Sequence, residues 1–231
     1  MRGLAAHAAP PARVANGAEH QNASASAEAN DLQYASAQEV LSYAVERFHP
    51  RLTMACSFQK EESVLVHMLS AIEPRARVFT IDTGVLFGQT LATWKRFEEH
   101  FGLSVEVIDA RSPGEPWTSA RCCGAAKVGA LERALSGVDA WITGVRREQA
   151  ATRTGAQKLE RDERRGLWKL NPLADWSESD LWSYIFKHEL PYHPLHDSGY
   201  SSIGCEPCTG PGASREGRWA GEAKTECGIH E

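Results

Sequence analysis

The sequence predicts an α/β fold, a parallel-type sheet flanked by helices with an irregular C-terminal extension. Three observations predict it. From about Ser36 onward, short apolar runs of strand length alternate with amphipathic segments of helical period. Each run ends in a polar loop, as βα crossovers do. Beyond Leu190 the periodicity gives way to Pro, Gly and three of the six cysteines.

The elements follow in order. Ser36–Phe48 reads as a helix: Ser36 is a suitable N-cap, Glu39 stands at N3, and Val40, Leu41, Ala44, Val45 and Phe48 recur at helical spacing. Arg51–Phe58 is a strand and Glu61–Ile72 a helix with Val64, Leu65, Met68, Leu69 and Ile72 on one face. Arg77–Asp82 is the second strand, Thr90–Phe101 an amphipathic helix, and Leu103–Ile108 the third strand. Cys123–Leu135 is helix-like and Ala140–Gly144 is the fourth strand. Lys158–Leu173 suits a hairpin around Arg165-Gly166, and Ser177–Lys187 a helix capped by Ser177 with Asp180 at N3. No internal repeat is present.

The bulk numbers exclude several classes. A chain of 231 residues fits one domain with a substantial core. Its formal net charge of -5 gives no global field for nucleic acid. No apolar run approaches the ~20 residues of a membrane helix. The Ala-rich start, with Pro10-Pro11, lacks the compact apolar stretch of a secretory signal and reads as a disordered arm. A cytoplasmic setting follows as an expectation, and there thiols stay reduced, which favours metal binding or catalysis over disulfides.

The strand-end loops carry candidate chemistry. In open α/β sheets ligands meet the carboxyl ends of strands. Ser57-Phe58-Gln59-Lys60-Glu61-Glu62-Ser63 stands there with hydroxyls and exposed N–H groups for an anion, but without glycine, so it is no Walker A loop. Taken alone, it reads equally as an ordinary polar loop. Asp82-Thr83-Gly84 ends the second strand, and Gly144-Val145-Arg146-Arg147-Glu148-Gln149, with Arg153 behind it, ends the fourth. Guanidinium groups at a strand end suit phosphate or sulfate, although a solvated charge run has the same composition.

The cysteines separate into kinds. Cys56 lies in an apolar run and reads as core. Cys122-Cys123 and Cys205-Glu206-Pro207-Cys208 form two pairs that suit zinc or a 4Fe–4S cluster. Adjacent side chains diverge, which is awkward for one tetrahedral zinc and easier for a wider cluster. Lys127, one helical turn beyond Cys123, could set an ammonium between thiolates and an anion, or be a surface lysine. Cys227 stands near the end among Gly, Glu and Lys with no apolar neighbours, which predicts an exposed thiol, either reactive or incidental.

Taken together, the Ser57 loop, Asp82-Thr83-Gly84, Cys122-Cys123-x3-Lys127, Gly144-x-Arg146-x2-Gln149, Asn171-Pro172-Leu173, Cys205-x2-Cys208 and Glu226-Cys227-Gly228-Ile229-His230 resemble the assimilatory sulfonucleotide reductases, in the same order and from about residue 35 to the end. The four paired cysteines resemble the cluster-containing branch, the adenylyl-sulfate (APS) reductases. The 3′-phosphoadenylyl-sulfate (PAPS) reductases generally keep the terminal motif and lack those four. The resemblance implies a fold like that of the ATP pyrophosphatases and adenine nucleotide alpha hydrolases. It implies a disordered arm over 1–34, a nucleotide-binding reductase domain over 35–200, and a cluster loop with a mobile catalytic tail over 201–231.

It also implies roles. Cys122, Cys123, Cys205 and Cys208 would ligate a 4Fe–4S cluster. Cys227 would be the nucleophile with His230 beside it. Ser57 and Phe58 would line the adenosine site. Lys127, Arg146, Gln149, Arg153, Arg215 and Arg218 would hold the phosphosulfate. The implied reaction reduces adenylyl sulfate to sulfite and AMP through a thiosulfonate on Cys227, with thioredoxin or glutaredoxin as the dithiol donor, in sulfate assimilation toward cysteine. PAPS or dual specificity is the alternative. A non-catalytic metal module and an ATP-dependent adenylating enzyme are rivals; the first leaves the arginines and Cys227 unexplained, the second lacks a glycine-rich loop. The number of subunits stays open, a homo-oligomer included.

Overall fold

The structure is a computed structural model; it describes residues 30–111, 118, 122–219 and 226–227, with the backbone alone for Cys122 and Cys123. Of the arm expected over 1–34, residues 1–29 lie outside the described residues. Leu32 is buried in the main core, and the Lys158 backbone N–H donates to Gln33 Oε1 at 3.3 Å.

The sheet has six strands: β1 Leu52–Ala55, β2 Arg77–Asp82, β3 Glu106–Asp109, β4 Ala140–Ile142, β5 Leu159–Asp162 and β6 Leu167–Leu170, in the spatial order β3-β2-β1-β4-β6-β5. All neighbours are parallel except β5 and β6, whose antiparallel pairing is the expected hairpin, turned at Gly166 with φ +68°. Helices α1 Ala37–Phe48, α2 Lys60–Ile72, α3 Gly88–Phe101, α4 Lys127–Ala134 and α5 Glu178–Lys187 cover the sheet. Both predicted caps form: Ser36 with Glu39, and Ser177 with Asp180, each as a reciprocal capping box, worth about 1 kcal/mol apiece. Val40, Leu41, Met54, Val64, Leu65, Leu69, Ile142 and Leu170 meet in one core, and each such side chain removed from water contributes about 1.5–3 kcal/mol.

Several boundaries differ from expectation: β1 stops at Ala55 and β4 at Ile142, short of Phe58 and Gly144, and α3 begins at Gly88, ahead of Thr90. The third strand starts at Glu106, because Gly102 ends α3 in the left-handed region and the Val105 N–H is captured by Glu98 at 2.9 Å. The Cys123–Leu135 helix divides: a wide turn over Cys122–Ala126 holds Gly124 at φ -95°, ψ -129°, outside the helical basin, and α4 begins only at Lys127.

The order β2-β1-β4 reverses direction at β1, so the loops after β1 and β4 open a crevice between them. The 201–219 segment is strapped across this crevice. The Lys60 ammonium donates to Ser201 O at 2.9 Å, the Ile203 N–H to Gln59 Oε1 at 2.7 Å, and the Glu206 N–H to Val85 O at 2.9 Å. Among the described residues no helix is long and apolar enough to cross a membrane.

Candidate active site

The crevice is a cleft of about 400 Å³. One wall is the β1 loop. Phe58 sits at φ +59°, a strained conformation for a bulky residue, held by stacking on Trp94 (centroids 5.5 Å apart) and an edge contact to Phe97. Its side chain is fully buried in the core, so what Phe58 can offer a ligand is backbone. The Ser57 hydroxyl donates to Glu62 Oε2 at 3.0 Å and accepts from Gln59 Nε2 at 3.1 Å. Lys60, Glu61 and Glu62 at the start of α2 are all buried. Burial, then the Glu61 charge, pushes the Glu62 carboxyl up to about 7. Burial works against the Glu61 carboxylate too, but the charges of Lys60 and Arg146 hold it below the usual range.

The β4 loop closes on α2. A Cβ at Gly144 would stand 2.6 Å from Glu62 Oε1 and 2.8 Å from Glu61 Cβ, so only glycine allows this approach. Arg146, 2% exposed, is clasped by Glu61 Oε1 at 3.0 Å, Glu178 Oε2 at 2.9 Å, Glu148 Oε2 at 3.2 Å and the Trp176 carbonyl at 3.1 Å. Its fork is filled by protein carboxylates. Gln149 bridges Glu61 Oε1 (2.9 Å), the Gly144 carbonyl (3.1 Å) and Arg153 (2.5 Å).

The opposite wall comes from 204–219 and the tail. Arg218 lies over the Trp219 ring at 4.4 Å and packs against Gly204, where a Cβ would collide with the guanidinium. Arg215 sits over the same ring at 5.4 Å, and burial, then the Arg153 charge, lowers its pKa to about 10. Among the described residues, the Nε atoms of Arg215 and Arg218 are buried without hydrogen-bond partners. Cys227 contradicts the exposed thiol expected: it is 5% exposed and packs with Cys205, Cys208, Trp219 and Val85. The tail's lack of apolar residues does not prevent burial, because the apolar surface is supplied by the 205–219 segment. Cys227 lines the cleft together with Lys127, Arg153, Arg215 and Arg218.

A cleft at the carboxyl edge of β1 and β4, one wall rich in arginine and a cysteine against it, agrees with what similar chains are. Residues 51–211 match the phosphoadenosine phosphosulfate reductase domain. The chain is 41% identical to an adenosine 5′-phosphosulfate reductase of Lysinibacillus sphaericus, covering 87% of this chain and 93% of that one. It is 42% identical to the Bacillus mycoides enzyme of the same name, covering 84% and 90%. This chain belongs to the phosphoadenosine phosphosulfate reductase family. Among solved structures, the phosphoadenylyl-sulfate reductase of Candida auris aligns with a TM-score of 0.68 at 26% identity, covering 84% of this chain and 98% of that one. An FMN adenylyltransferase of Candida glabrata aligns at 0.59 and 15%, covering 84% and 75%, a likeness of fold alone. The reductase is therefore an enzyme of the sulfonucleotide-reducing kind, on the α/β fold its sequence predicts.

In this reductase Ser57, Lys127, Arg146, Gln149, Arg153, Arg215, Arg218, Cys205 and Cys227 line one cleft. Cys205 is 1% and Cys208 6% exposed; Cys205 Sγ stands 3.1 Å from Thr83 Oγ1, and neither is in a disulfide. The backbone of Cys122 and Cys123 forms the turn that leads into Lys127 on the cleft wall. The side chains of both, and all of His230, lie outside the described residues. Sequence reading placed Lys60, Glu61 and Glu62 in the strand-end loop without giving their side chains a role, and missed Glu178 as a cleft residue and Glu226 as an ionic partner. Charges at helix starts look like solvated caps, and the distant partners Arg146 for Glu61, and Glu178 and Ser201 for Lys60, show why these are buried.

Proposed function

We propose that this reductase converts adenylyl sulfate to sulfite and AMP, with Cys227 as the acceptor of the sulfonate group. The observation that supports the reading is Cys227 lining the same cleft as Lys127, Arg215 and Arg218, so that one thiol and three cationic side chains border the same space. An anionic phosphosulfate supplies acceptors, and buried cations strengthen as water is excluded. The Ser57 hydroxyl and the Phe58–Gln59 backbone stand at the nucleoside side of the cleft. Arg146 and Gln149 hold the β4 loop in position, and His230, three residues past Cys227, is the expected proton partner.

In the first step the Cys227 thiolate attacks the sulfur of the sulfate. The S–S bond forms, the S–O bond to phosphate breaks, and AMP leaves with that electron pair. In the second step a dithiol of the thioredoxin or glutaredoxin class attacks the Cys227 sulfur. Sulfite departs, and the second thiol of the donor resolves the mixed disulfide, so the two electrons come from the donor. Assimilation of sulfate in the cytoplasm, toward cysteine, is the setting this chemistry suits.

The cysteines suit a 4Fe–4S cluster. Cys205 and Cys208 are two buried thiols on one short turn beside the cleft, and Cys122–Cys123 precedes a cleft lysine. Bound by these four, the cluster would supply charge and a fixed anchor next to the anion. PAPS as a second substrate is supported by the likeness to the Candida auris enzyme at 26% identity; the relatives above 40% carry the APS name.

Incubating the holoenzyme with adenylyl sulfate and no reductant, then weighing the intact chain, tests the reading. One SO3 group is expected on Cys227 in the wild type and none in Cys227→Ser, which keeps nucleotide binding but makes no sulfite. Sulfite from Cys227→Ser at the wild-type rate would end the assignment. Competing APS with PAPS at equal concentration separates the two substrates.

A further inference from the structure

The residue before the nucleophile has an unusually complete set of partners. Glu226 Oε1 accepts from Thr152 Oγ1 at 2.9 Å and Arg153 Nε at 2.9 Å; Oε2 accepts from Arg153 Nη2 at 2.8 Å and Arg215 Nη2 at 3.0 Å. Arg153 thus grips the carboxylate with its Nε–Nη2 edge, and its third nitrogen, Nη1, is taken by Gln149 Oε1 at 2.5 Å. Glu226 and Arg153 side chains are each 10% exposed. A bidentate, charge-assisted pair at this depth is directional, and removing one member strands the other. Consecutive Cα atoms are about 3.8 Å apart, so fixing Glu226 fixes where Cys227 can be.

We propose that Glu226 is a positioning residue that anchors Cys227 in the cleft through Arg153 and Thr152, and that Arg153 serves the tail and not the substrate. The proposal rests on the reading of Cys227 as nucleophile. The sequence places Glu226 beside the thiol as a like charge that would oppose thiolate formation. In the folded chain three donors consume that charge: burial works to raise its pKa, but the hydrogen bond and charge of Arg153, then Arg215, hold it below the usual carboxylate range. Arg215 bridges the two functions, one nitrogen on Glu226 and its side chain on the cleft wall. The Ser214 hydroxyl, donating to the Gln149 carbonyl at 2.8 Å, ties the Arg215 turn to the same loop that presents Arg153.

The test is the alkylation rate of Cys227 by iodoacetamide in the holoenzyme without substrate, read as the mass of the C-terminal tryptic peptide, beside steady-state kinetics. Glu226→Ala and Arg153→Ala are each expected to raise that rate about tenfold or more. The double variant is expected to go no further than either single one. Glu226→Gln, which keeps the shape and loses the charge, falls between. In turnover, Glu226→Ala loses kcat by about tenfold or more while KM for adenylyl sulfate moves less than about twofold. Wild-type alkylation in Glu226→Ala overturns the proposal, as does a raised KM with alkylation unchanged, which would put Arg153 on the substrate. Faster alkylation with kcat intact overturns the positioning role. Alkylation needs no turnover, so the anchor is read even if Cys227→Ser proves active and the nucleophile reading fails.

Discussion

The two walls of the cleft carry similar residues in opposite balance. On the β1–β4 side, Lys60 and Arg146 face Glu61, Glu62, Glu148 and Glu178, and every guanidinium nitrogen of Arg146 has a protein acceptor. On the tail side Arg153 and Arg215 share the carboxylate of Glu226, Arg218 lies over Trp219, and among the described residues the Nε atoms of Arg215 and Arg218 have no acceptor. On the first wall the cations are fully engaged by carboxylates, as a scaffold requires. On the second, cations outnumber carboxylates among the described residues, and this is the side proposed to meet the anionic substrate. An arginine in a cleft therefore signals ligand binding only after its own partners have been counted.

The comparison can be broken from either side. The largest effect is expected beside the tail wall: Cys205→Ser should lose iron and visible colour, measured by metal analysis of anaerobically purified protein. Full iron retention would remove the cluster from this wall. Next, Arg218→Ala should cost about a hundredfold to a thousandfold in kcat/KM, the scale of losing one preorganised donor, with little change in the urea midpoint. Arg146→Ala should do the reverse, losing about 3–5 kcal/mol of stability because Glu61 is left buried without its cation, measured by urea unfolding. Equal stability losses in the two variants would erase the distinction between the walls.

The smallest effect concerns pH. The folded chain holds the Glu62 carboxyl at about 7 against the ordinary 4.5 of a glutamate, so between these values it keeps a proton the unfolded chain releases. That contribution to stability is complete below the unfolded value and is lost as pH rises through about 7. Glu62→Gln should remove this slope and gain on the order of 2 kcal/mol relative to wild type at pH 8 compared with pH 4, followed by thermal unfolding at both pH values. An unchanged difference would mean that Glu62 stays ionised in the folded chain.

Local signals carried much of the fold. Ser36 with Glu39 and Ser177 with Asp180 are short-range capping pairs, and the caps form where they stand. The apolar alternation over β1, β2 and β4 and the turn at Gly166 are likewise local. The start of β3 was less legible, because it depends on Glu98 capturing a backbone N–H seven residues away. The site divides in the same way. The cysteine spacing and the strand-end arginines are visible in one dimension. The buried charges of Lys60 and Glu61 are not, because the partners that hold them, Ser201 and Arg146, lie 85 residues or more along the chain.

By itself, then, the amino-acid order determined which segments are strands and helices, where the paired thiols stand and which kind of enzyme the chain resembles, since these rest on propensity, periodicity and fixed spacing. Tertiary structure alone decided which cations are spent. Arg146 closes on Glu61 and Arg153 on Glu226, while Arg215 and Arg218 line the cleft beside Cys227. It also decided that Cys227 is buried and not exposed. The physical reason is that a charge's role depends on the charges and the solvent around it, and those are set by residues brought together only when the sheet assembles.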